Sequence, residues 1–148
     1  MNAILSKTFL TTLFIKQNRH HKHSVFGHTL KVVYSAIKMR EYRFIAPALF
    51  HDFGKPYSAY QDDSDRLVGT YSFTNHEELS WHIVKRWNFL SDWSKNIIRH
   101  HYLVRDMYLC EQKGKTERLK RIQKRWENLS PEVKEDLKLF LKIDDAGK

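Results

Sequence analysis

A single cysteine, Cys110, occurs in 148 residues. That excludes an intramolecular disulfide and fits a reducing compartment, so a cytoplasmic location is expected. Cys110 itself reads as a small hydrophobe without a redox role. The chain also lacks strand-like alternation, internal repeats and low-complexity tracts, and has only five glycines and three prolines. Acidic residues are outnumbered, 17 against 26 Lys and Arg, for a formal net charge of +9. Such a balance favours polyanionic substrates or partners and speeds their capture, but says nothing about fold. The apolar-flavoured start lacks the marks of a signal peptide: no basic leader, Lys7 in its middle, and no small-residue cleavage site after it. It is too short and polar to span a bilayer, so no membrane role is expected. What is present is a globular composition, 41% hydrophobic and 14% aromatic. Its length suits one domain with one core.

Helical periodicity runs through most of the chain. An amphipathic first helix over residues 1–16 packs Ile4, Phe9, Leu13 and Ile15 inward. A polar link follows (residues 17–23), with His20, His21 and His23 as solvated loop histidines. Ser24 then reads as an N-cap, with Val25, His28, Val32, Ser35 and Met39 along one face. A third helix is expected over residues 43–53, with Pro47 in its first turn, Phe44, Ala48 and His51 on one face, and Gly54 and Pro56 closing it. The Asp62-Asp63-Ser64-Asp65 cluster reads as a solvated loop tip. Thr74-Asn75-His76-Glu77 has the form of a capping box opening a helix with Leu79, Ile83 and Trp87 on one face. Another helix starts near Ser91-Asp92, placing Trp93, Ile97 and His101 in register, and Gly114 breaks the pattern. Residues 113–125 are the densest basic run and end at Trp126. Ser130-Pro131-Glu132 opens a last helix carrying Val133, Leu137, Phe140 or Leu141, and Asp144 on one face.

The centre of this arrangement is the doublet His51-Asp52, at the end of the apolar run that closes with Phe50. His28, His51, Asp52, His76, His101 and Asp144 each fall on or beside an apolar face, from about five helices. Buried carboxylates need counter-charge. With no lysine or arginine read at matching inward positions, metal ions are the expected cations. His100 beside His101, and Asp145 beside Asp144, offer alternatives that spacing leaves open.

These residues, in order, resemble the H…HD…H…H…D pattern of the HD-domain metal-dependent phosphohydrolases. The local text Phe26-Gly27-His28-Thr29-Leu30, Leu49-Phe50-His51-Asp52-Phe53-Gly54-Lys55-Pro56, Phe73-Thr74-Asn75-His76-Glu77, Ile98-Arg99-His100-His101 and Asp144-Asp145-Ala146-Gly147 is similar to the HD domain attached to bacterial tRNA nucleotidyltransferases. The resemblance runs from Ser24 to the end of the sequence and favours His101 and Asp144 over their neighbours. The nucleotidyltransferase domain itself is absent from this sequence, so nucleotide addition is not implied. What is implied is an all-α, compact helical bundle forming one domain over residues 1–148, with residues 1–23 as helix and link and 24–148 bearing the ligands.

The resemblance further implies phosphoester hydrolysis on a nucleotide, a cyclic nucleotide or cyclic phosphate, or a nucleic-acid end. One divalent ion falls to His28, His51, Asp52 and Asp144. A second falls to His76 and His101, with Asp52 between the two. Water held between two such ions turns to hydroxide near neutral pH and attacks phosphorus. Mixed imidazole and carboxylate donors suit Mn, Fe, Co, Ni or Zn better than Mg. His51, Asp52 and Lys55 are the candidate catalytic residues, with Lys55 also a phosphate contact and Arg99 and Arg105 weaker ones. The alternative is a nucleic-acid or nucleotide-binding module, in which the basic run grips phosphates and the metal site is structural or vestigial.

Overall fold

Phe14, Lys16, Gln17 and residues 23–148 are described by the structure, a computed structural model. The expected first helix with Ile4, Phe9, Leu13 and Ile15, and also His20 and His21, lie outside the described residues. Among the described residues the fold is all-α apart from a two-residue ladder and an isolated antiparallel bridge between Lys16 and Ser24. Helix α1 spans Val25–Lys38 and opens on Ser24, whose Oγ accepts from the Gly27 amide at 3.1 Å. A cap of this kind stabilises a helix by about 1 kcal/mol. Val25, His28, Val32 and Ser35 are buried as the periodicity expects, while Met39 lies past the helix and is exposed.

The expected helix over residues 43–53 is shorter and divided. A 3-10 turn, Tyr42–Phe44, leads into α2, Ile45–Phe50, and the chain turns at residues 51–54. Gly54 therefore precedes the next helix, α3 (Lys55–Ser58), instead of closing the last one. Pro56 falls in the first turn of α3, where its missing N–H would lack a partner anyway.

Strand β1 (Ala59–Tyr60) pairs antiparallel with β2 (Ser72–Phe73), too short for alternation to show in sequence. Between them the supposed solvated Asp cluster forms α4, Asp63–Val68, opened by a reciprocal box between Asp62 and Asp65 and closed by left-handed Gly69. The box expected at Thr74 is absent. Helix α5 (His76–Val84) is entered through Asn75 at φ 55°, which leaves Thr74 outside the cap.

Helix α6 (Asp92–His100) is capped by Ser91, and α7 (Leu103–Gln112) follows after a two-residue break. The basic run forms α8, Thr116–Glu127, and Ser130 caps α9, Pro131–Asp145. Leu137, Phe140 and Ile143 of α9 pack with Val32, Ala36, Phe44, Ala48 and Ile97 in the main core. A second cluster, Val84, Leu90 and Ile98 with Phe50 and Trp87, supports the far side of the His51 turn. Cys110 is buried with Leu103 and Ile122 between α7 and α8, as a hydrophobe. Among the described residues no helix is long and apolar enough to cross a membrane.

Candidate metal centre

The six singled-out side chains converge from five helices, four of them at helix ends. His51 and His101 are the residues just after α2 and α6, His76 is the first of α5, and Asp144 lies in the last turn of α9. The last turn of a helix leaves carbonyls without amide partners. Nδ1 of His51 uses one of them, the Ala48 carbonyl at 2.8 Å, and Nδ1 of His101 uses the Ile98 carbonyl at 2.7 Å. Nδ1 of His28, from the middle of α1, lies 3.2 Å from the Gly147 carbonyl. With Nδ1 against a carbonyl, each ring turns its Nε2 toward the centre, the atom a metal ion would take in place of a proton.

Asp52 divides the centre in two. Its Oδ2 lies 3.6 Å from His28 Nε2 and 3.3 Å from His51 Nε2. Its Oδ1 lies 3.5 Å from His76 Nε2 and 3.9 Å from His101 Nε2. Asp144 Oδ1 joins the first half, 2.9 Å from His28 Nε2 and 3.5 Å from His51 Nε2. In the second half the Nε2 atoms of His76 and His101 are 3.2 Å apart. His28, His51 and Asp144 could hold an ion together, and so could His51, Asp52 and His101. Among the described residues, buried His51 Nε2, Asp52 Oδ2 and Asp144 Oδ1 make no hydrogen bond, although the Lys55 ammonium pairs with Asp52 Oδ2 at 2.6 Å. Buried groups of this kind need a partner, and a cation fits the donor set.

Burial disfavours charge throughout the centre, and its neighbours decide the outcome. On His51 the carboxylates of Asp52 and Asp144 outweigh burial and lift the pKa to about 10. Burial alone would raise Asp52, but His51 and Lys55 hold it well below the usual carboxylate range. Asp144 is likewise held low against burial by the imidazoles of His28 and His51. Burial and then Asp52, opposing it, act on His76, which ends well below the ordinary histidine value; burial and the His51 charge take His101 down to about 4. The second half thus carries neutral rings.

One expectation is corrected here: lysine and arginine do reach inward. Lys55 is 6% exposed, and its Nζ lies 2.6 Å from Asp52 Oδ2. Arg105 donates at 2.9 Å to both Asp144 Oδ2 and Asp145 Oδ1. The cause is position: Lys55 follows a tight turn, so its stem folds back over the doublet. Arg99 is engaged elsewhere, by Glu78 at 2.9 and 3.2 Å and over the Trp81 ring at 3.9 Å. Among the described residues neither His100, partly buried, nor Asp145, exposed, belongs to a group that could hold an ion.

Two contributors escaped the sequence reading. Ser80 accepts from the Gly54 amide at 2.7 Å and donates to the His76 carbonyl at 2.8 Å, tying the two halves together. Gln17, in the polar link, is 2% exposed and accepts from Lys55 Nζ at 2.6 Å. Ser80 lies beside Leu79 on a helix already expected, whereas nothing in the local pattern marks Gln17.

Comparison with known proteins gives one match. The sequence profile of the family described as the HD domain covers residues 25–143. No curated protein and no solved structure matches the chain.

Proposed function

Since the chain belongs to the HD-domain family, whose members are divalent-metal-dependent phosphohydrolases, we propose that it cleaves a phosphomonoester or phosphodiester. The bond belongs to a nucleotide, a cyclic nucleotide or cyclic phosphate, or a nucleic-acid end, and residues 24–148 act as one catalytic domain. The observation that carries this reading is the Asp52 carboxylate, with each oxygen turned to a different pair of histidines. His28, His51, Asp52 and Asp144 would hold one ion, and His76 and His101, with Asp52, a second. Bound there, divalent ions lower the pKa of water and neutralise charge developing on a phosphoryl oxygen.

The protein's own part is orientation and charge. The carbonyls of Ala48, Ile98 and Gly147 hold three rings with Nε2 facing the centre. Lys55 balances Asp52 and, at the rim of that carboxylate, is the nearest cation for a substrate phosphate. Arg105 and Arg99 remain secondary contacts, because each must leave a carboxylate first. Imidazole and carboxylate donors favour Mn, Fe, Co, Ni or Zn over Mg. A net charge of +9 suits a phosphate-rich substrate, and the motif text shared with tRNA nucleotidyltransferase HD domains supports a nucleotide or RNA end.

A second reading draws on α8, whose Lys120, Arg121, Lys124 and Arg125 are exposed. In that reading the chain is a nucleic-acid-binding module with a structural metal site. Elemental analysis combined with turnover of a generic phosphodiester and a nucleotide panel separates the two. Chelator-sensitive hydrolysis supports the enzyme. RNA retention with metal bound and no turnover of any substrate supports the module.

A further inference from the structure

Gln17 reaches the centre from the N-terminal segment, and the reaction outlined above makes no use of it. Lys16 bridges Ser24 in an isolated antiparallel pair, which lays the next residue beside the start of α1. The Gln17 side chain is 2% exposed, and its Oε1 accepts from Lys55 Nζ at 2.6 Å. An ammonium has only donors, so it is the oxygen of the amide that must face it. The other end of the amide, Nε2, is therefore a pair of N–H donors, and it is buried with no hydrogen-bond partner among the described residues.

Lys55 is in a similar position. Its ammonium meets Gln17 Oε1 and Asp52 Oδ2, each at 2.6 Å, and lies 5.6 Å from the centre of the Phe73 ring. It has three N–H groups and no third acceptor among the described residues. Two unsatisfied donors thus share one buried corner next to the carboxylate that divides the centre. Buried donors are seldom left without an acceptor. The acceptor that suits this pair is small, carries several lone pairs and is negatively charged.

We infer that Gln17 Nε2 and Lys55 Nζ form a seat for one phosphoryl oxygen of the substrate, with the Gln17 carbonyl holding the ammonium in place. Gln17 is then a substrate-binding residue that also positions Lys55. The inference rests on the phosphohydrolase reading and adds to it a named recognition element outside the six-residue pattern.

The test is binding of inorganic phosphate to the full chain, followed by calorimetry with and without added divalent metal. Gln17→Met keeps the length of the side chain and removes both polar ends. Gln17→Glu keeps an acceptor for Lys55 and removes the donor. Both variants are expected to weaken phosphate binding by about tenfold or more, the usual worth of a hydrogen bond to a charged group. Gln17→Glu should unfold at or above the parent temperature, since its carboxylate still meets the ammonium, which separates lost recognition from lost folding. Where turnover is measurable, KM should rise more than kcat falls. Phosphate affinity within about twofold of the parent in both variants overturns the seat, as does a parent that takes up no phosphate. If the variants lose phosphate while no substrate is turned over by any form, the seat stands and the hydrolytic reading fails. If hydrolysis is robust and both variants bind phosphate normally, only the seat fails.

Discussion

A Cβ placed on Gly54 would stand 2.1 Å from the carbonyl oxygen of His76 and 2.6 Å from the Ser80 amide nitrogen. The turn after the doublet and the first turn of α5 are in backbone contact there, and Ser80 stitches them through both of its hydrogen bonds. Gly54 has φ −76°, so what it supplies is room rather than an unusual conformation. Gly54→Ala is expected to destabilise the protein by about 1–3 kcal/mol, as overpacking does. It should also displace His76 and lower metal content more than a surface substitution of equal destabilisation. Denaturant titration and elemental analysis together check this, and unchanged values in both would show that the contact relaxes freely.

Asp52→Ala should abolish hydrolysis, because it removes the carboxylate that serves both halves of the centre. Activity within about tenfold of the parent, roughly 1.4 kcal/mol in barrier, would sink the proposed mechanism. The variant should also be less stable, by about 3–5 kcal/mol, since the Lys55 ammonium is left buried without its carboxylate. Adding Lys55→Met should restore much of that stability and none of the activity. A double variant no more stable than the single one would show that the pair does not carry the effect.

His101→Ala and His76→Ala should each reduce bound metal by close to one ion per chain, leaving the ion assigned to His28, His51, Asp52 and Asp144. His100→Ala should leave metal content unchanged. That ring lies outside the cluster, and burial together with the charges of Arg125 and Arg99 takes its pKa down to about 4. Metal loss in His100→Ala alone would reverse the assignment of the adjacent pair.

Replacing Lys120, Arg121, Lys124 and Arg125 with glutamine should raise KM for RNA or DNA and flatten its dependence on salt. All four side chains are exposed on α8, and none belongs to the six residues of the centre. Turnover of a small phosphodiester should not change. Equal losses on small and large substrates would mean instead that the helix supports the fold.

What could be read from the sequence follows from how local its cause is. Ser24, Ser91 and Ser130 cap helices because a cap needs only a hydroxyl and the amides just after it. His28, His51, His76, His101 and Asp144 were recognisable because polar groups on apolar stripes stand out, and the doublet fixed the order. The inward cations were not recognisable. Lys55 reaches Asp52 only because the chain turns at residues 51–54, and helical periodicity gives no sign of where a helix stops early. The real capping box lies at Asp62 and Asp65, and the Thr74 pattern misled because a left-handed Asn75 changes the entry to α5. Gln17 was not singled out, since its burial depends on Lys55 of α3, far away in sequence.

His28 meets Asp144 at 2.9 Å and the Gly147 carbonyl at 3.2 Å, partners more than a hundred positions further along the chain. A contact of such high sequence separation forms late, because the entropy of closing the intervening loop must be met first. During synthesis the first half of the centre therefore stays incomplete until α9 has emerged and docked against α1. A chain truncated before α9 would lack Asp144 from the centre and Leu137, Phe140 and Ile143 from the main core, so the site and the core would be lost together.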